Sequence, residues 1–156
     1  MHEKKSTKDY GPEIEQALKL LVVLSRASRS LMEVSQQDIK RYGLNLSEFA
    51  VLELLYHKGP TPIQQIGSKV LLASGTMTYV VDKLVSKDYI IRKQSEQDRR
   101  VIMIELTPAG EEVIARIFPE HAQTLHDRMS HLTNEQQQQL IQLLKILGQP
   151  DTAPSN

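Results

Sequence analysis

The residues best suited to recognise a ligand lie on one face of a short predicted helix. In the stretch 74–86, four apolar residues fall at the spacing i, i+3, i+4 and i+7 of one helix face: Met77, Val80, Val81 and Leu84. The opposite face offers hydroxyls, a phenol, an amine and a helix N-terminus, from Ser74, Gly75, Thr76, Thr78, Tyr79 and Lys83, with Asp82 among them. These groups match base edges and phosphates in a DNA major groove. An isolated stretch of this kind is more often an ordinary surface helix, so its neighbours decide between the two interpretations.

A charged tripeptide supplies a second candidate contact. Asp98 precedes Arg99 and Arg100, a spacing that lets the carboxylate orient one guanidinium while the other reaches outward. The tripeptide lies between the β-branched segments 89–94 and 101–106, which predict a hairpin with a charged tip. An extended loop with arginine suits the narrow minor groove, where negative potential is concentrated. The tripeptide alone is common, but its position after two short helices makes it a more specific signal.

The elements before the hairpin form a helix-turn-helix pattern. Ser47 is the predicted cap of a helix that ends at the Lys-Gly-Pro segment 58–60, because glycine suits a left-handed cap and proline cannot continue a helix. Segment 61–64, Thr-Pro-Ile-Gln, fits a capping box for a short helix that buries Ile63, Ile66 and Val70. A tight turn at 71–74 then leads to a second short helix, which begins at Ala73 or Ser74.

Long amphipathic helices flank this unit. Residues 12–40 carry apolar side chains at helical spacing without an internal glycine or proline. After the pair Thr107-Pro108, a helix with a kink at Pro119 extends to about Met129, and a capping box at 133–136 begins a last helix that ends at Gly148. A small winged domain cannot cover apolar stripes at both ends, so we expect an obligate homodimer.

The composition excludes several classes of protein. The 156 residues include no cysteine, which excludes disulfides, thiolate zinc sites and a thiol switch. Without a Gly-rich phosphate loop or a nucleophile elbow, we expect no enzymatic activity. No stretch approaches the roughly eighteen apolar residues that span a bilayer, and the polar N-terminus lacks a signal-peptide core. We therefore expect a cytoplasmic protein that does not contact membranes.

Charge distribution is only weakly informative. Nineteen basic and nineteen acidic residues give a net charge of zero. The window 83–100 is nevertheless net basic, while the chain after residue 107 is net acidic. A helical protein-interaction module without DNA binding, in which the hairpin is merely structural, therefore remains the alternative.

Histidines and tyrosines are weaker candidates for a site. Three histidines follow one another at intervals of five, whereas two metal ligands on one helix face prefer i and i+4: His121, His126 and His131. We expect them to be solvated, and we expect no metal and no other cofactor. Three tyrosines can line an aromatic-ligand pocket or simply pack, and packing is the favoured interpretation: Tyr10, Tyr42 and Tyr56.

The ensemble resembles the MarR family of bacterial regulators from the first helix to about Leu147. Four stretches carry the resemblance: Leu-Ser-Glu-Phe-Ala-Val-Leu at 46–52, the helix 74–84, Gln-Asp-Arg-Arg at 97–100 and Leu-Thr-Pro-Ala-Gly at 106–110. The resemblance implies a roughly triangular homodimer with interlocked terminal helices, in which each subunit offers one winged helix-turn-helix to a palindromic operator. It also implies a wing arginine in the minor groove, for which Arg100, held by Asp98, is the first choice and Arg99 the second.

The resemblance also implies how DNA binding is regulated. Many members are repressors released by small phenolic or other aromatic ligands that bind between the dimerisation and DNA-binding parts, and others sense oxidants through cysteine. Since cysteine is absent, release by a ligand or by an indirect route is favoured. The Phe-Pro-Glu-His stretch at 118–121 resembles a branch that includes quinone-responsive repressors.

We therefore predict a mainly α fold with a small β-hairpin wing (α+β). The predicted parts are an N-terminal dimerisation helix (12–44), a winged helix-turn-helix DNA-binding domain (45–106), C-terminal dimerisation helices (107–148) and flexible tails (1–11 and 149–156). The predicted function is sequence-specific binding of double-stranded DNA by a transcriptional regulator. We expect a repressor that is released by a small aromatic or phenolic effector, or by stress from such compounds.

Overall fold

Helices make up most of the chain, and one small sheet lies between them. The computed structural model describes residues 8–70 and 76–150. The elements in chain order are α1 (Pro12–Lys40), α2 (Leu46–Lys58), β1 (Thr61–Pro62), α3 (Ile63–Lys69), α4 (Met77–Ser86), β2 (Ile90–Gln94), β3 (Ile102–Leu106), α5 (Pro108–Met129) and α6 (Asn134–Leu147). This confirms the mainly α fold with a β wing. The predicted turn at 71–74 and most of both predicted tails lie outside the described residues.

The hydrophobic core lies where α2, α4 and the sheet meet the first half of α5. Leu52 of α2, Leu84 of α4 and Ile104 of β3 are fully buried, and Ile114 and Ile117 of α5 belong to the same cluster. Burying an aliphatic side chain of this size contributes about 1.5–3 kcal/mol. Because α4 places its apolar face in this shared core, the opposite face of α4 is turned to solvent.

The sheet contains a strand that the sequence analysis missed. β2 and β3 form the predicted antiparallel hairpin, and the two-residue β1 pairs with the other edge of β3, with Thr61 opposite Ile104. The predicted capping box at 61–64 is therefore wrong. Thr61 Oγ1 donates a hydrogen bond to the Gly59 carbonyl at 2.9 Å, and α3 begins after Pro62 without a side-chain cap. A two-residue strand has no periodicity from which it could be predicted.

Two helix starts differ from the prediction. Asn45, not Ser47, caps α2, since its Oδ1 accepts a hydrogen bond from the Glu48 backbone at 2.8 Å. Ser47 is instead buried in the first turn. Among the described residues, α4 begins at Met77, because Thr76 has an extended backbone and caps the helix. Ala73 and Ser74, the predicted starting points, lie outside the described residues.

The C-terminal helices begin where the sequence indicated. Thr107 caps α5, and Thr133 with Gln136 forms the predicted reciprocal capping box of α6. Pro119 lies inside α5, which continues through it to Met129, so the kink at this residue stays a prediction.

The outer helices leave apolar side chains exposed. No residue of α6 is buried, and its exposed apolar residues are Leu140, Ile141, Leu143, Leu144, Ile146 and Leu147. The first half of α1 is similar and exposes Ile14, Leu18, Leu20, Leu21, Val22 and Val23. Nowhere in the described part of the chain is a helix both long and apolar enough to cross a membrane.

Candidate nucleic-acid interface

The helix α4 presents the predicted polar face to solvent. Val80, Val81 and Leu84 are buried, and Met77 is half-buried, as the helical spacing predicted. The predicted contact residues on the other side are exposed: Thr76, Thr78, Tyr79 and Lys83. The structure therefore places these four on one surface. Ser74 and Gly75, the remaining two predicted residues of this helix, lie outside the described residues.

The phenol and the amine of this face lie close together. Lys83 is one turn beyond Tyr79, and its Nζ lies 5.7 Å from the centre of the tyrosine ring. The Tyr79 side chain is 54% exposed, so both groups can reach a partner in front of the helix. Thr76 Oγ1 accepts a hydrogen bond from the Tyr79 backbone N–H at 3.3 Å, which fixes the start of the helix from which Tyr79 projects.

The predicted bond between Asp98 and Arg100 is present in the wing. Asp98 Oδ1 accepts hydrogen bonds from Arg100 N at 3.0 Å and from Arg100 Nε at 3.2 Å, and Oδ2 accepts one from Nη2 at 3.3 Å. These bonds lower the pKa of the Asp98 carboxyl from its usual value. Although it is held in this way, the Arg100 side chain is 90% exposed. The Arg100 guanidinium is therefore held in one orientation by the Asp98 carboxylate and is open to solvent, so it is preorganised to bind a negatively charged group.

Arg99 and Arg100 differ in their surroundings. Both lie in the turn that ends the wing loop, and both are exposed. Arg99 makes no hydrogen bond or ion pair with any described residue, so its position is set by the backbone alone. The predicted division of the pair, in which one guanidinium is oriented and the other extends outward, agrees with this geometry.

Three other cations of the basic window are paired with carboxylates that the sequence analysis did not identify. Lys93 Nζ lies 3.0 Å from the Glu105 carboxylate across the hairpin, and Arg92 of β2 is bonded to Asp82 of α4. The third pair joins Lys87 to Glu48. No local spacing could have revealed these pairs, since the partners lie ten or more residues apart.

The Lys87 pair fixes the C-terminal end of α4. Lys87 Nζ donates to the buried Glu48 carboxylate at 2.6 Å and to the Gly43 carbonyl at 3.0 Å. Glu48 belongs to α2, and Gly43 belongs to the turn between α1 and α2. The orientation of the candidate DNA-reading helix is therefore tied to the end of the long α1 helix.

His121 is not solvated, which corrects the prediction for this residue. It is 4% exposed, and its Nδ1 lies 2.8 Å from Asp38 Oδ2, while its ring contacts Phe49 edge-on at 4.7 Å. His121 follows Ile114 and Ile117 on the buried stripe of α5, so a helical wheel that included polar residues would have identified it. His126 and His131 are exposed as expected.

Asp38 is the centre of the polar cluster that receives His121. It accepts hydrogen bonds from Arg41 Nη2 at 2.5 Å and from Thr124 Oγ1 at 3.2 Å as well as from His121. Burial alone would raise the pKa of Asp38, but the bonds from His121, Arg41 and Thr124 outweigh it and hold the pKa below its usual value. The cluster joins the end of α1 to α5.

The tyrosines divide between packed and exposed positions. Tyr42 is half-buried and donates to Glu120 Oε2 at 2.5 Å, a bond that, together with burial, raises the pKa of its phenol. Tyr10 and Tyr56 are exposed at 54% and 40%, and the Tyr56 ring contacts the His57 ring edge-on at 5.3 Å. The described residues contain no cluster of side chains that could hold a metal ion.

An open groove of about 550 Å³ lies between α1, α2, α3 and α5. Its apolar side is formed by Met32, Leu46, Ala50, Leu54, Val70 and Phe118. The polar groups at its edge are Glu53, His57, Lys58 and Lys69. An apolar surface with a few polar and charged groups suits a small amphipathic molecule.

Comparison with known proteins places this geometry in a family. A family model described as MarR family matches residues 44–102. The HTH-type transcriptional regulator MhqR of Bacillus subtilis is 50% identical over 134 residues, which cover 86% of this chain and 92% of that protein. The uncharacterized HTH-type transcriptional regulator YkoM of the same species is 46% identical over 136 residues, or 87% of this chain and 88% of its own length.

Solved structures share the fold at low sequence identity. A mutant of MarR from E. coli, complexed with operator DNA, superposes with a TM-score of 0.76 at 18% identity and covers 89% of this chain and 100% of its own. BpsR of Bordetella bronchiseptica, whose DNA binding is regulated by 6-hydroxynicotinic acid, has a TM-score of 0.72 at 22% identity over 83% of this chain and 92% of its own. The identity to the B. subtilis regulators over most of the chain shows that this protein belongs to the MarR family of DNA-binding, non-enzymatic transcriptional regulators.

Proposed function

We propose that this protein is a repressor that binds a palindromic operator as a homodimer, with α4 in the major groove and the wing in the minor groove. The observation that carries the proposal is the oriented and exposed Arg100 beside a solvent-facing helix with Thr76, Thr78, Tyr79 and Lys83. Ser74 and Gly75 precede this face in the sequence, so we include them in the interface. Arg99 is the second wing contact, and Asp98 orients Arg100.

Dimerisation is inferred from the apolar faces of the outer helices. Leu143 and Ile146 of α6 are more than 60% exposed, and Leu21 of α1 is 61% exposed. Exposed apolar side chains of this extent on two helices are typical of a protein interface. In this proposal residues 12–44 and 107–148 form the dimer contact and residues 45–106 bind DNA. Two such domains related by a twofold axis read half-sites about 10 base pairs apart.

Release by a small aromatic or phenolic molecule is supported by the groove between α1, α2, α3 and α5. Phe118 and Leu54 offer apolar contacts for a ring, and Lys58 and Lys69 offer positive charge for a phenolate or a carboxylate. The absence of cysteine excludes a thiol switch within this chain. We therefore infer ligand-controlled repression, in the cytoplasm, in response to stress from such compounds.

Capture of genomic DNA tests the proposal directly. The purified protein is incubated with sheared genomic fragments, the bound fragments are sequenced, and the recovered duplex is used for gel shifts. We expect an inverted repeat whose complex is dissociated by one or more small aromatic compounds. Recovery of no preferred duplex would instead favour a helical protein-interaction module without DNA binding.

The variant Arg100→Ala tests the assigned wing contact. It should weaken operator binding by about 1 to 3 kcal/mol and make the affinity less dependent on salt. Arg116→Ala is the control, because Arg116 is also exposed but lies on α5, outside the proposed DNA-binding residues 45–106. Sedimentation verifies that this variant keeps the oligomeric state of the wild type. Equal operator affinity of the wild type and the Arg100 variant would refute the assignment.

A further inference from the structure

Most cations near the proposed DNA surface are already neutralised within the chain. The window 83–100 contains six basic residues, and four of them form ion pairs with carboxylates: Lys87 with Glu48, Arg92 with Asp82, Lys93 with Glu105 and Arg100 with Asp98. Non-specific affinity for DNA depends on how many phosphates a protein neutralises. The pairs of Lys87, Arg92 and Lys93 therefore lower the attraction of the protein to DNA of any sequence, whereas Arg100, at 90% exposure, stays open to a partner.

The pair of Asp82 and Arg92 differs from those of Lys87 and Lys93 because its carboxylate lies on the exposed side of α4. Asp82 is on the exposed side of α4, three residues after Tyr79 and next to Lys83. It is therefore a negative charge on the surface that meets DNA under the proposed function. Its partner Arg92 is on the neighbouring strand β2. The Asp82 side chain is 59% exposed and the Arg92 side chain is 36% exposed.

A stabilising role alone does not explain this position. Ion pairs exposed to solvent contribute little to protein stability, and a carboxylate in front of DNA phosphates is repelled by them. A guanidinium binds carboxylates and phosphates with the same planar, two-pronged geometry. The Asp82 carboxylate thus accepts the hydrogen bond from the Arg92 guanidinium that a DNA phosphate would otherwise accept.

We propose that Asp82 is a specificity-determining residue that acts as an internal substitute for a phosphate and keeps Arg92 from binding the backbone of non-operator DNA. The inference rests on the proposed function, since it takes α4 and the wing as the DNA-binding surface. Its consequence is that loss of Asp82 makes the protein bind DNA more tightly but less selectively.

The test compares the wild type with the variants Asp82→Ala, Arg92→Ala and the double variant. Binding to a 30-base-pair random-sequence duplex and to the genomic duplex recovered above is measured between 50 and 200 mM salt. Affinity for DNA falls as salt is raised from 50 to 200 mM. In Asp82→Ala, this fall should be larger by a further factor of about three to four for each phosphate that Arg92 newly binds. Affinity for the random duplex should rise more than affinity for the operator.

Two controls separate this mechanism from a general effect of charge. Glu96→Ala removes a carboxylate from the exposed wing tip, where Glu96 has no bonded partner among the described residues. This control should leave the salt dependence nearly unchanged. The double variant should also match the wild type, because the gain in affinity requires Arg92. Thermal unfolding of each variant verifies that it is folded.

The possible outcomes are distinct. An unchanged salt dependence in Asp82→Ala, or an equal gain in the double variant, would overturn the inference while the proposed function stands. A strong loss of random-duplex binding in Arg92→Ala would also overturn it, since Arg92 would then already contact phosphates in the wild type. If the wild type binds neither duplex, the proposed function itself fails, and the inference with it.

Discussion

Gly110 lies at the closest contact between α5 and the base of the wing, where a single methyl group should have a large effect. An added Cβ would lie 1.9 Å from the Tyr89 carbonyl oxygen and 2.8 Å from its carbon. Three hydrogen bonds hold this junction together. Thr107 N donates to the Tyr89 carbonyl at 3.0 Å, Thr107 Oγ1 donates to the Asp88 carbonyl at 2.5 Å, and Gly110 N donates to Thr107 Oγ1 at 3.0 Å.

The variant Gly110→Ala should therefore destabilise the protein substantially. Backbone atoms cannot rotate away, so α5 and the Tyr89 peptide would have to separate by at least about 1.5 Å to reach an ordinary contact distance. Overpacking of this kind costs about 1–3 kcal/mol, and weakening two of the hydrogen bonds adds roughly 1 kcal/mol. The better helix propensity of alanine offsets about 1 kcal/mol of this destabilisation. We expect a net loss of about 1–3 kcal/mol, or a decrease in Tm of about 2–12 °C.

Gly67→Ala provides a matched control for the same chemical change. Gly67 lies in α3, and apart from its own helix backbone and chain neighbours an added Cβ there would meet no atom of the described residues within 4 Å. It should stabilise the protein by about 0.5–1 kcal/mol through helix propensity alone. Tm is measured by circular dichroism at one protein concentration, because the stability of a dimer depends on concentration. If Gly110→Ala melts within about 1 °C of the wild type, or is stabilised like Gly67→Ala, the steric argument is wrong.

Three further predictions follow from the buried polar contacts and the caps. The pKa of Asp38 is lowered in the folded state. The ionised carboxyl therefore adds to the free energy of unfolding above the pKa of the unfolded state, and this stabilisation is lost as pH falls through the pKa of the folded state. Asp38→Asn should therefore be less stable at neutral pH and lose less stability on acidification, as measured by urea unfolding from pH 7 to pH 3. Lys87→Met leaves the buried Glu48 carboxylate without its ion-pair partner and should lower the free energy of unfolding by about 1–3 kcal/mol. The double variant Glu48→Gln/Lys87→Met should recover part of that loss, because no buried charge is left unpaired. Unfolding curves in which the double variant is no more stable than the single one would contradict this. Thr133→Ala removes the α6 capping box and should cost about 1 kcal/mol in thermal unfolding, whereas Thr133→Ser should retain most of the stability.

The exposed surface that we propose binds DNA could be predicted because its signals are local. The spacing of Met77, Val80, Val81 and Leu84 fixed which side of α4 is buried, and hence which side is exposed. The bonds between Asp98 and Arg100 join residues two apart in one turn, so the order of residues was enough to predict them. Strand β1 could not be found in this way, because two residues contain no period.

The buried polar cluster could not be predicted from neighbouring residues. Asp38 and His121 lie 83 residues apart and meet only because α1 packs against α5. For the same reason, the pairing of Lys87 with Glu48 and of Arg92 with Asp82 appears only after α2, α4 and β2 have been brought together.

The sequence by itself determined the order of the helices and of the two hairpin strands, the caps at Thr107 and Thr133, and which side of α4 is exposed, because these depend on periods and spacings within a few turns of chain. The tertiary structure alone decided which charges are available to a ligand and which are satisfied internally. A charge in a sequence has no partner until folding supplies one, so residues as similar as Arg92 and Arg99 differ only in what the packed elements place beside them.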